Sequence, residues 1–151
     1  MAGAQACVPG GHEGALDTWR WRAWRRSSYA AEGLLKAALA KARREKGGAH
    51  PDTLACINIY GLFLWRVGRF YGEAEPLYRE ALAGYRRVLG DAHQDTLSSV
   101  NNLALLLQAK ADLLGAEPLY REALAGSRRL QGDAHPGTLT SVNNLALLLQ
   151  D

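Results

Sequence analysis

Three histidines head related segments of this chain: His50-Pro51-Asp52, His93-Gln94-Asp95 and His135-Pro136-Gly137. An imidazole two residues from a carboxylate could hold a metal ion or share a proton in acid–base chemistry. The third copy weakens that reading, because glycine replaces its carboxylate. The copies also stand one repeat apart rather than converging. Asp and Thr ahead of an apolar run serve as helix N-caps, which accounts for the spacing without a metal. The sequence assembles no set of nucleophile, base and orienting group. It shows no phosphate-binding glycine loop and no paired carboxylates in a cleft. The expectation is a non-enzymatic chain with no catalytic residues, no metal, no cofactor and no small-molecule substrate.

Two other constellations could bind rather than react. Asn58, Asn101 and Asn143 recur at one position of three related segments. An amide carries both donor and acceptor, so it can grip the backbone of an extended peptide whatever its side chains. The same groups could instead bond neighbouring helices, and spacing does not choose between these uses. Asn102 and Asn144 read as structural. Near the N-terminus, Trp19-Arg-Trp-Arg-Ala-Trp-Arg-Arg26 interleaves three tryptophans with four arginines. Such a segment could meet phosphates, stack on bases or lie at a membrane interface. As a helix it yields no clean amphipathic stripe, and capping of the following helix is the preferred reading. Nucleic-acid or membrane partners are therefore the alternative, not the main expectation.

The elements that must carry these residues are repeats. Ser99–Gln108, SVNNLALLLQ, recurs unchanged at Ser141–Gln150, and Ala74–Gly84, AEPLYREALAG, recurs unchanged at Ala116–Gly126. Both identities have an offset of 42 residues, and self-similarity at such a period marks a stacked array. Turn segments KGGA, LGDA and QGDA precede the histidines. Each is followed by an apolar helix, a short break at Gly68-Arg69 or Ala111-Asp112, and a longer helix beginning at AEPLYREAL. A worn copy of the longer helix is visible at Ala31–Arg44, AEGLLKAALAKARR. The layout is a basic N-terminal segment at 1–28, then an array over 29–151. The array comprises a leading helix at 29–46, helix pairs at 51–89 and 94–131, and a trailing helix at 136–150.

Within each pair the large and small residues alternate in a recognisable way. Leu103, Ala104 and Leu107 are matched by Ala116, Tyr120 and Ala123; Tyr60, Gly61 and Leu64 by Ala74, Tyr78 and Ala81. Small residues let two helices approach while large neighbours fill the gaps. This pattern resembles the tetratricopeptide repeat, and the period, the NNLA run and the HPDTL loop resemble the 42-residue repeats of kinesin light chain-like proteins. The resemblance implies an all-α fold, a tetratricopeptide α-solenoid built as a right-handed superhelix of antiparallel helix pairs. It implies a protein–protein interaction scaffold that holds a protein or peptide ligand in a concave groove. Carried onto this sequence, the groove positions are Asn58, Leu62, Trp65 and Arg66, then Asn101, Leu105 and Gln108, then Asn143 and Leu147. Family members that bind acidic peptide ends line this groove with basic residues. Only Arg66 is available here, so a mixed apolar and amide groove is expected.

Composition agrees with a soluble repeat protein. The 151 residues are 48% hydrophobic and 22% charged, with a net charge of +3. Residues 1–46 hold nine Lys and Arg against four acids, while 47–151 hold nine against eleven. The basic character thus belongs to the N-terminal segment. Two cysteines, Cys7 and Cys56, make no disulfide framework, which favours a reduced, cytoplasmic setting. No apolar run approaches membrane-spanning length. Leu145, Leu148 and Leu149 keep an interior pattern with no second helix after them. Self-association through this C-terminal helix, or continuation into a longer array, is the expectation there.

Overall fold

The computed structural model describes residues 16–68 and 70–150, with side chains from residue 27 onward. Six helices follow one another: α1 (Leu16–Lys46), α2 (Pro51–Gly68), α3 (Tyr71–Leu89), α4 (Gln94–Ala109), α5 (Leu113–Gln131) and α6 (Pro136–Leu148). No strand occurs among the described residues. Each helix packs chiefly on its neighbours in the chain, α1 on α2 through to α5 on α6, the one-dimensional stacking of an α-solenoid.

The local reasons for these elements are visible residue by residue. Helix α1 begins earlier than the leading helix expected at position 29, because nothing between Leu16 and Ser28 stops a helix. Gly90 and Gly132 adopt positive φ at the ends of α3 and α5, where a residue with a side chain would be strained. At the end of α4 it is Ala111 that takes a positive φ of 64°, and Asp112 then caps α5 by accepting from the Gly115 amide at 3.0 Å. Helices α3 and α5 start three residues before AEPLYREAL, so Pro76 and Pro118 fall in the second turn. There each proline removes a single backbone bond and the helix continues past it.

The histidines are the caps. His50 Nδ1 accepts from the Asp52 amide at 3.2 Å, His93 Nδ1 from Asp95 at 3.1 Å, and His135 Nδ1 from Gly137 at 3.1 Å. The sequence reading gave that role to Asp and Thr. Threonine instead points back at the turn: Thr53 donates to the Gly47 carbonyl and Thr96 to that of Gly90. An imidazole nitrogen can satisfy an orphan helix amide as a carboxylate does.

The core is a continuous seam between successive helices. Val100, Leu103, Ala104 and Leu107 are buried against Ala116, Tyr120 and Ala123, as expected from their spacing. Tyr60, Leu64, Ala74, Tyr78 and Ala81 repeat the arrangement one pair earlier. Each large side chain so enclosed contributes on the order of 1.5–3 kcal/mol of burial free energy. Gly84 and Gly126 are required by this packing. A β-carbon on Gly126 would stand 2.3 Å from Leu97 Cδ2, and one on Gly84 would stand 2.4 Å from Leu54 Cδ2.

Candidate binding face

The first helices of the pairs, α2 and α4, and the last helix α6 carry the expected groove residues on one stripe. Side-chain bonds show that the three helices lie side by side. Asn58 on α2 donates its amide to Ser99 Oγ on α4 at 2.7 Å, and Asn144 on α6 donates to Asn101 Oδ1 on α4 at 2.9 Å. Asn58 and Asn101 thus both join helices, while Asn143 is exposed and bonds to nothing among the described residues. Asn101 keeps its NH2 group unbonded, and Asn58 Oδ1 is buried without a partner. The three asparagines are one sequence position but three environments.

The rest of the stripe is mixed. Leu62 and Leu147 are exposed, whereas Leu105 and Trp65 are half-buried against the core. Arg66 is exposed beside Trp65. Gln108 accepts the Tyr120 hydroxyl at 2.8 Å, which ties the stripe to the helix behind it. In the first pair Trp65 occupies the Gln108 position, and Tyr78, the counterpart of Tyr120, has a buried hydroxyl with no partner. Burial pushes both phenols up to about 12, so neither tyrosine ionises near neutral pH. The stripe offers apolar contact, one unbonded amide NH2 group on α4, a wholly unbonded amide on α6, and the cation of Arg66. No group on it is placed for proton transfer or nucleophilic attack.

Elsewhere the surface holds less. A depression of about 350 Å³ is lined by Gly48, Ala49, Leu54, Glu80, Ala83, Gly84 and Arg87, none of them a residue of the stripe. Among the described residues no three His, Cys, Asp or Glu side chains come together as metal ligands. The backbone of Trp19–Arg26 runs within α1, but its side chains lie outside the described residues. No helix among the described residues is long and apolar enough to cross a membrane.

Two sets of residues escaped the sequence reading. The glycines Gly84 and Gly126 stood inside an evident repeat, where identity concealed that they receive a leucine. Ion pairs between successive second helices were also missed: Arg43 Nη2 meets Glu80 Oε1 at 2.6 Å, and Arg86 Nη2 meets Glu122 Oε1 at 2.5 Å. An arginine and a glutamate about one repeat apart in both copies was the available signal.

Comparison with known proteins gives a consistent answer. The tetratricopeptide repeat family profile matches residues 54–127 and 95–151. No curated protein sequence matches the chain. Among solved structures, the nearly identical TPR-like repeats of a Podosopora anserina kinesin light chain-like protein align with a TM-score of 0.75 at 24% identity. That alignment covers 85% of this chain and 61% of the other. A single-substitution variant of the same protein gives 0.74 at 23%, covering 84% and 60%. BtubC (BKLC) from P. vanneervenii aligns with a TM-score of 0.71 at 21% identity, covering 82% of this chain and 49% of the other. At these identities the likeness is one of fold, and the chain spans about half to three-fifths of those proteins.

Proposed function

We propose that this chain, which belongs to the tetratricopeptide repeat family, is a non-catalytic scaffold that holds a protein or peptide segment along the stripe formed by α2, α4 and α6. Repeats of this family generally mediate protein–protein interaction. One observation carries the finer reading: apolar Leu62 and Leu147 stand exposed along the same stripe as the unbonded NH2 group of Asn101 and the unbonded amide of Asn143. Exposed leucines give sequence-tolerant affinity, and amides can pair with the backbone of an extended ligand.

Selection from a displayed peptide library tests this directly. Wild type and a Leu62→Glu/Leu147→Glu variant would be panned in parallel, both checked for helicity by far-UV circular dichroism. Peptides enriched on wild type and lost on a folded variant are the expected result. Peptides that bind both equally would place the ligand elsewhere. Binding through Trp19–Arg26 to an anionic surface is the alternative. It would show as affinity that falls steeply with salt and vanishes on deletion of residues 1–28.

A further inference from the structure

The three turns that lead into α2, α4 and α6 share one backbone. Gly47, Gly90 and Gly132 have φ of 86°, 86° and 83°, and their amides donate to the carbonyls of Arg43, Arg86 and Arg128 at 3.1, 3.1 and 3.0 Å. The residue after each glycine therefore stands in the same place in all three. In two of them it is an aspartate that holds the arginine: Arg86 Nε meets Asp91 Oδ1 at 3.2 Å, and Arg128 Nε meets Asp133 Oδ1 at 2.9 Å. In the first turn it is Gly48. Arg43 keeps its other bond, Nη2 to Glu80 Oε1, as Arg86 keeps Glu122. No carboxylate meets Arg43 Nε among the described residues, and Asp52 close by is held by Lys46.

The space that an aspartate would fill is open. A β-carbon on Gly48 would meet nothing within 4 Å, and Gly48 lines the depression of about 350 Å³. Buried Leu54 and Gly84, with Ala83, give that depression an apolar floor. Its polar lining is Glu80, which Arg43 already holds, and Arg87, which makes no ion pair among the described residues. Arg43, Arg87 and Glu80 together carry one net positive charge, whereas their counterparts Arg86, Arg129 and Glu122 are neutralised by Asp91. Glu45, standing where the other copies have Val88 and Leu130, does not line the depression. The first turn thus lacks both the volume and the charge of one carboxylate.

We propose that this depression binds a carboxylate on a short apolar stem, which takes the place that Asp91 and Asp133 occupy in the later turns. Arg43 Nε donates to the carboxylate, Arg87 adds a second cation from α3, and the stem lies on Leu54, Ala83 and Gly84. Glu80 does not bar it, because Arg86 carries two carboxylates at once, Asp91 on Nε and Glu122 on Nη2. An acidic side chain of a protein partner and a free short-chain acid present this same group. The Asp91 and Asp133 side chains are 79% and 84% exposed, so the arginine bond is made in water and adds only modest affinity. The site is separate from the stripe of Leu62 and Leu147 and does not depend on what binds there.

The test is a titration of the isotope-labelled full chain with sodium butyrate and, separately, with N-acetyl-aspartate N-methylamide, read by proton–nitrogen NMR at constant ionic strength. Butyramide is the neutral control. Saturable shifts of the Gly48, Ala49 and Gly84 amides and of Arg43 Nε–H are expected with the acids and not with butyramide. Dissociation constants on the order of 1–10 mM suit one exposed ion pair over a small apolar floor. Gly48→Asp should weaken binding about tenfold or more, because its own carboxylate then fills the place; the turn accepts aspartate, as Asp91 and Asp133 show. Gly48→Ala should bind as wild type does. Arg43→Gln should cost about tenfold, the scale of a hydrogen bond to a charged group, and Arg87→Gln about two- to fivefold. Tighter binding of the blocked aspartate would assign the site to a partner's side chain, and tighter binding of butyrate to a free acid; either upholds the proposal. No saturable shift at these groups, equal shifts with butyramide, or undiminished binding to Gly48→Asp would overturn it.

Discussion

Adding one methyl group to Gly126 and one to Gly61 should move the stability of this array in opposite directions. Both residues lie inside helices, where alanine is favoured over glycine by about 0.5–1 kcal/mol. At Gly61 the new β-carbon meets the Tyr78 ring at 3.4–3.5 Å, an ordinary contact, and the next pair already carries Ala104 there. Gly61→Ala should therefore stabilise by about 0.5–1 kcal/mol. At Gly126 the β-carbon falls 2.3 Å from Leu97 Cδ2, 3.0 Å from Cδ1 and 3.2 Å from Cγ. Carbon atoms rest about 3.5–4.0 Å apart, so a buried leucine must retreat by more than an ångström. Overpacking of this kind costs about 1–3 kcal/mol, which exceeds the helical gain. Urea denaturation followed by circular dichroism gives the two midpoints at constant m. Gly126→Ala should unfold earlier than wild type and Gly61→Ala later. In Gly126→Ala/Leu97→Ala the two costs should be less than additive, because the clash is gone. A Gly126→Ala chain as stable as wild type would refute the assigned helix approach.

Two further outcomes test other parts of the structure. Leu103→Ala removes a side chain buried between α4 and α5 and should cost about 2–5 kcal/mol, while exposed Ser98→Ala should be near neutral; equal urea midpoints would reverse the assignment of helix faces. Lys110 first, and Arg79 second, hold the Glu75 carboxyl below the ordinary value of 4.5, so its ion pairs stabilise the fold above that pH and are lost as pH falls through the lowered value. Glu75→Gln should therefore cost up to about 1 kcal/mol at pH 7, and the gap from wild type should close on acidification; a gap independent of pH would separate Glu75 from these cations.

The repeat made the architecture readable before any coordinates. Identity at an offset of 42 located the pairs, and helical spacing placed Val100, Leu103 and Leu107 inside, where they are found. Capping was misassigned because Asp52 and Asp95 are commoner caps than histidine, and only geometry shows Nδ1 facing the helix amides. The asparagines show a different limit. Spacing put Asn58, Asn101 and Asn143 on one stripe, but the partner of each depends on the neighbouring helix. Cys56 stands where Ser99 does, and Ser99 is what Asn58 reaches. Trp65 in place of Gln108 likewise leaves Tyr78 without the acceptor that Tyr120 has. Differences between copies, not the shared pattern, set the polar detail.

Exact repetition carries its own consequence for function. Ten identical residues lie within α4 at Ser99–Gln108 and recur at Ser141–Gln150, where the first eight belong to α6 and the last two to its closing turn, so the residues themselves cannot say which copy is covered. Burial of Leu107 and exposure of Leu149 follow from α5 lying on one and no equivalent helix lying on the other among the described residues. In a stacked array each interface is local, so the burial of a repeated helix is set by what packs on it and not by its own residues.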